Sequence, residues 1–268
     1  MKKIFGVIIT IMILCTAGYA IQRNNKIHDI EVIHVEGDRI IYNNLTELMN
    51  ASDLVIIGEY CKNTEQLIEY SFSDVFNKNI ITDITSCNSI SVEKVLKGNT
   101  DEKTIKISQR YGIDENQDKL ITFSEMTPMN KGEQWIFFLS YDEINETYWC
   151  SGDYTGRYPV PNEKINSICD EASTLIKERN KILYSKERIP DSKIESKMLS
   201  NEYVYTDLNG INYSLQTKEV AENVISVDNS ITKCRNKLKA SDFGLYSSDL
   251  INIELYCEIL NTLDCSLK

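Results

Sequence analysis

Apolar residues alternate with polar ones through most of the first 160 positions and recur near every 3.6 positions after that. Period two is the signature of strands, whose successive side chains face opposite ways, and a period near 3.6 is that of helices. Residues 30–35 and 39–42 flank Glu36-Gly37-Asp38 and predict a short hairpin. Asn44 is placed to cap a short helix carrying Leu45, Leu48 and Met49. Strands are expected at 54–60 (LVIIGEY), within 80–96, at 104–108, at 134–139 (QWIFFL), and at 148–151 and 157–160. The run QWIFFL is apolar on both faces, so it should be the central strand. Residues 64–74 are ambiguous, with Leu67, Ile68 and Phe72 at spacings that suit a short helix.

From Glu163 the pattern becomes helical: Ile165, Ile168, Ala172, Leu175, Ile176 and Leu183 share one face of a helix ending near Arg188. Pro190 breaks that helix and makes a domain boundary. Residues 203–208 and 211–215 around Asn209-Gly210 predict a hairpin, because Asn-Gly suits a type I′ turn. Val220, Val224, Val227, Ile231, Cys234 and Leu238 predict a helix over 217–240. Ser247 or Ser248 is placed to cap a last helix through Leu250, Ile253, Cys257 and Leu260. The expected fold class is therefore mainly β plus α: residues 30–188 form a β-domain with a closing helix, and 189–268 a small α+β segment.

Residues 1–20 stand outside this pattern. Met1-Lys2-Lys3 precedes the uncharged run IFGVIITIMILCTAGYA. A cleaved signal peptide, an uncleaved membrane anchor and a lipid-modified Cys15 all fit such a leader. All three place the remainder outside the cytoplasm, secreted or held at the membrane.

Composition narrows the partners. The 268 residues carry 29 basic and 40 acidic side chains, a net charge of −11, so no basic face is available for nucleic acid. Only two histidines occur, His28 and His34, and no C-x-x-C, G-x-S-x-G, H-E-x-x-H, P-loop or G-x-G-x-x-G motif is present. Without a catalytic signature, the expected function is an extracytoplasmic interaction or ligand-binding module without enzymatic activity, its partner a protein, peptide or glycan. An unrecognised hydrolase would need a carboxylate pair that nothing in the sequence singles out. Beyond the leader the seven cysteines read as structural, bridged or buried. Cys234 and Cys257 sit on the apolar stripes of successive helices and are expected to face each other in an antiparallel pair. Cys257 and Cys265 would lie about 12 Å apart on one helix, too far for a bond.

The order of motifs carries a resemblance. Ser52-Asp53-Leu54-Val55-Ile56-Ile57-Gly58, Val92-Glu93-Lys94-Val95-Leu96-Lys97-Gly98 and Lys131-Gly132-Glu133-Gln134-Trp135-Ile136-Phe137-Phe138-Leu139 precede a Gly156-Arg157-Tyr158 strand. This resembles an uncharacterised domain of bacterial surface proteins. It is more loosely similar to the netrin-like domain of tissue metalloproteinase inhibitors, an antiparallel β-barrel of the OB type. The resemblance covers roughly residues 30–160. It implies a fold and hardly a function, since its motifs mark strands and turns. The inhibitors' metal-chelating Cys-x-Cys start has no counterpart here, so their mode of inhibition is not implied.

Two constellations are candidate sites. Asp114, Asn116, Asp118 and Glu125 fall at positions 1, 3, 5 and 12 of an EF-hand-like loop, the spacing that wraps oxygens around calcium. Lys119 stands where that loop needs Gly, and strand-like runs flank it, so an acidic inter-strand loop is the competing reading. Calcium is the one cofactor the sequence suggests. Tyr148, Trp149, Tyr154 and Tyr158 cluster after the central strand; exposed, they form a patch for a sugar ring or peptide, and buried, they fill a core.

Overall fold

The computed structural model describes residues 30–35, 40–114, 118–123, 125–199, 203–207 and 211–265. The leader, the Glu36-Gly37-Asp38 turn and the Asn209-Gly210 turn lie outside the described residues. No described helix is long and apolar enough to cross a membrane.

The elements run β1 (Glu31–Val35), α1 (Leu45–Asn50), β2 (Leu54–Ser73), β3 (Lys78–Lys97), β4 (Thr104–Gln109), β5 (Tyr111–Asp114), β6 (Lys119–Phe123), β7 (Gln134–Asp142), β8 (Thr147–Cys150) and β9 (Arg157–Pro159). Then come α2 (Glu163–Tyr184), β10 (Glu187–Ile189), α3 (Ile194–Leu199), β11 (Tyr203–Thr206), β12 (Asn212–Leu215), α4 (Lys218–Lys237) and α5 (Ile253–Thr262). The chain is a mixed α+β protein whose main sheet is ring-like. β2 pairs with β3, β3 with β4, β4 with β8, β8 with β7, and β7 again with β2. All these contacts are antiparallel except β4–β8, which is parallel. β9 adds outside the ring on β7.

β7 is the central strand that its double-sided apolarity predicts. Trp135, Phe137 and Leu139 face the inside of the ring with Leu54, Ile56, Ile90, Ile105 and Ile107. Ile136 and Phe138 face outward with Val55 and Ile57, where α1, α2, α4 and α5 cover them. Two glycines of the recurring motifs have steric reasons. A Cβ on Gly58 would run into Ile90 and the Ser91 carbonyl, at a register shift where β2 bends. Gly98 has φ +80 and its Hα faces the Asp53 carbonyl, closing the end of β3.

Several expectations are corrected. Residues 64–73 are strand, with Asp74 in the turn, because β3 offers a long complementary partner: Ile68 pairs with Ile84 and Tyr70 with Ile81. The hairpin of 30–35 with 39–42 does not form; β1 pairs in parallel with β6, and residues 40–42 join no strand. α2 ends at Tyr184, and Glu187–Ile189 becomes an edge strand on β12. Ser247 caps a short 3-10 turn, Ser248–Leu250, while Asn252 caps α5 through the Leu255 N–H. Asn44 does cap α1, its Oδ1 accepting from the Glu47 N–H at 2.9 Å. β11 and β12 pair as the predicted hairpin.

α4 and α5 do not form the simple antiparallel pair expected from their sequence order. Each packs chiefly on α2, and both contribute to the core beneath the ring. Cys234 and Cys257 share that core, but the Cys257 thiol donates to the Cys169 carbonyl on α2 (3.6 Å). A buried ion pair crosses the Pro190 position. Arg179 of α2 donates to both Glu254 oxygens of α5, at 2.7 and 2.8 Å, with Asp228 of α4 at 3.5 Å. Burial alone would lower the guanidinium's pKa, but the carboxylates outweigh it and hold Arg179 above its ordinary value.

Candidate functional site

The alternation along β3, β4 and β8 decides what faces solvent. Ile105 and Ile107 turn into the ring, so Lys106 and Ser108 turn out. On β8, Tyr148 and Cys150 lean on the inner core, so Thr147 and Trp149 turn out. The parallel register sets Trp149 beside Ser108. Among the described residues no helix covers this wall, and a groove of about 430 Å³ runs across it. Its lining includes Glu65 of β2, Asp83 of β3, Lys106 of β4, Arg110 just beyond β4, Asn145 of the β7–β8 turn, and Trp149.

The floor is tied together by hydroxyls. Thr147 Oγ1 lies 3.2 Å from Ser108 Oγ and donates to the Lys106 carbonyl at 3.1 Å, stitching β8 to β4. The rim is organised by Asp142. Its carboxylate accepts from the Ile144 N–H (2.9 Å), the Asn145 N–H (3.2 Å), Asn145 Nδ2 (2.7 Å) and Trp149 Nε1 (3.3 Å). The Asn145 bonds foremost hold its pKa below the ordinary carboxylate value. One side chain therefore fixes both the turn and the indole that flank the groove. Its signal was available as Asp142-x-x-Asn145 two residues before strand β8, an Asx-turn spacing. Two acids and two bases line the groove, so its charge balances locally, unlike the acidic molecule as a whole.

The predicted aromatic patch is divided by the fold. Trp149 alone faces the groove. Tyr148 lies against the inner core and tilts on Tyr141, their centroids 4.9 Å apart. Tyr154 is buried after β8, and Tyr158 is buried, stacked on Tyr256 at 5.5 Å and edge-on to Phe138 at 6.1 Å. Neighbours in sequence on a strand face opposite ways, so the four could not share one surface.

The oxygens proposed for calcium are not brought together among the described residues. Asp114 pairs with Lys119 across the β5–β6 hairpin and accepts from Tyr70 OH at 3.0 Å. Asp118 and Glu125 stand at opposite ends of β6, whose five residues span about 16 Å, whereas calcium needs oxygens about 2.3–2.6 Å from one ion. Glu125 instead lies 3.0 Å from His34 Nδ1. Asn116 lies outside the described residues. Among the described residues no group of three or more His, Cys, Asp or Glu side chains could hold a metal ion.

A second hollow, about 440 Å³, lies between α2, α4, β11 and the segment before α5. It contains Asp228 and Glu254, and both carboxylates are engaged by Arg179. Comparisons with protein-family models, curated proteins and solved structures give no significant match.

Proposed function

We propose that this chain is an extracytoplasmic, non-enzymatic module that binds a neutral oligosaccharide in the groove at Trp149. The observation that carries the reading is a lone partly buried indole, its edge fixed by Asp142, set with Leu67 among charged and amide side chains. Sugars are recognised in this way, an aromatic face against the ring and planar polar groups around its hydroxyls. The balanced lining suits an uncharged ligand, and the net charge of −11 opposes a polyanion.

The ring's order supports an OB-type barrel, as the sequence resemblance suggests. With β2, β3, β4, β7 and β8 as strands one to five, neighbours run 1-2-3-5-4 and back to 1, with the third and fifth parallel. OB barrels take oligosaccharides and oligonucleotides on the face of strands two and three, beside the loops joining strands one to two and four to five. The groove lies on that face, and Asn145 comes from the loop joining strands four and five.

The test is titration of the full chain with the N-acetylglucosamine tetramer and with a neutral glucan tetramer, followed by indole fluorescence and calorimetry. Binding by at least one is expected, abolished in Trp149→Ala while the melting temperature moves little. Failure of both sugars to bind, or equal binding by Trp149→Ala, would overturn the reading.

A further inference from the structure

The seven described cysteines are all thiols, and their surroundings differ. Cys150 faces the ring interior near Gln109 and Arg157. Cys87 lines the outer groove. Cys234 of α4 lies near the Glu171 carboxylate. Cys169 and Cys257 form a different case. They sit on the facing apolar stripes of α2 and α5, both buried, in one cluster. The Cys257 thiol reaches the Cys169 backbone carbonyl at 3.6 Å, so the two helices bring these residues together across 88 positions of sequence.

We propose that Cys169 and Cys257 are a disulfide site, joining α5 to α2 when the chain folds in the presence of an oxidising disulfide. The bond forms by two exchanges. One cysteine thiolate attacks the small-molecule disulfide, breaking its S–S bond and releasing one thiol; the second cysteine then displaces the other thiol. The protein loses two hydrogens as the Sγ–Sγ bond forms, and the oxidant leaves as two thiols, so atoms and electrons balance. Closure belongs to folding rather than to the finished core. In the folded state both thiols are buried in the core, 4% and 3% exposed, where a small-molecule disulfide does not reach them. The other pairings are poorer. Cys234 lies near Glu171, and Cys265 lies past the end of α5, whereas the sulfur contact across the α2–α5 seam is that of Cys257 with Cys169.

The consequence is a long covalent loop that fastens the C-terminal helix to the helix covering the ring, and a constraint of that length acts mainly on the unfolded chain. The test refolds the reduced full chain with a mixture of oxidised and reduced glutathione, alkylates remaining thiols, and maps the unreduced digest by mass spectrometry. One linked peptide pair containing Cys169 and Cys257 is expected, with the other cysteines alkylated. The oxidised chain should melt about 5 °C or more above the reduced one. That difference should vanish in Cys169→Ser and Cys257→Ser and persist in Cys234→Ser. Alkylation of both Cys169 and Cys257 after oxidative refolding, or a bridge from Cys257 to Cys234, would overturn the assignment. Should the serine variants fail to fold, the map of the unaltered chain decides alone.

Discussion

Replacing Arg179 by methionine should destabilise the ring and the C-terminal helices together. The Arg179 side chain is 5% exposed and Glu254 17%, so the carboxylate left behind is only partly reached by water from the adjoining hollow. The substitution keeps the apolar stem and deletes two charge-assisted bonds of 2.7 and 2.8 Å, leaving Glu254 buried without its cation. Breaking one side of a buried pair costs about 3–5 kcal/mol. In a chain of this size 1 kcal/mol moves the midpoint by roughly 2–4 °C, so melting should fall by about 10 °C. Arg179→Met combined with Glu254→Leu removes both charges and should recover most of the loss, because a desolvated pair returns little net energy against apolar groups of similar volume. Asp228 tolerates the double change: it is 31% exposed and keeps its bond from Tyr205. Urea unfolding followed both by far-ultraviolet dichroism and by indole fluorescence provides the assay. Dichroism reports the helices, and the fluorescence includes Trp135, buried inside the ring. Coincident shifts are expected, since the pair joins α2 to a helix beyond Pro190 over a shared core. A single-mutant loss below about 1 kcal/mol would refute the reasoning. So would a shift in dichroism that leaves the fluorescence transition in place.

Two further outcomes follow from individual side chains. Asp142 is depressed below its ordinary 3.8 by bonds that exist only in the folded turn. Its contribution is therefore complete above the unfolded value and lost as pH falls through the lower folded one; the Trp149 fluorescence signal should titrate with a midpoint under 3.8, and a midpoint at or above it would contradict the assignment. The Cys150 thiol is pushed up to about 12 by burial, against the opposing influence of Arg157. It should resist a thiol reagent at pH 8 until the chain is unfolded, and rapid labelling of Cys150 in the native protein would show that the ring interior is open.

Strands whose partners are consecutive, and helices with a continuous stripe, were readable from the residues because their period is local. QWIFFL announced its central place because both faces were apolar, and it does pair on both edges, with β2 on one side and β8 and β9 on the other. Residues 64–74 were not readable. Leu67, Ile68 and Phe72 suit a helix as well as a strand, and only the facing run from Lys78 decides between them. The parallel pairing of β1 with β6 left no local trace either, since nothing between residues 35 and 119 points to it. The oxygens from Asp114 onward have the spacing of a calcium loop, but spacing along a chain fixes distance only when the backbone between them is known. A five-residue strand carries the last of them away. Trp149 was legible as an aromatic, and its isolation was legible too, because T-Y-W-C must alternate. Asp142, which holds it, looked like one acid among 40.

The two walls of the ring explain why a binding surface can lie on only one of them. β2 and β7 read LVII and WIFFL because helices cover their outer face, and each of those buried side chains contributes about 1.5–3 kcal/mol by leaving water. That wall has no surface left for a ligand. β4 and β8 read TIKISQ and TYWC, apolar only on the inner side, and their outer positions are filled with Lys106, Ser108, Thr147 and Trp149. Lys106 is exposed, while Ser108 and Thr147 are buried in the groove floor with their hydroxyls 3.2 Å apart. The indole is partly buried, its Nε1 donating to Asp142, with Phe123 and Met126 lining a small hollow beside it and the groove on its other side. If the wall were merely solvated, any β-former would serve at position 149, and the Asp142–Asn145–Trp149 set would have no packing to support beyond the turn itself. A ring face held at the edge of a charge-balanced groove gains free energy when an apolar face of similar size is laid on it, and in the proposed function the pyranose faces of a neutral oligosaccharide would supply that surface.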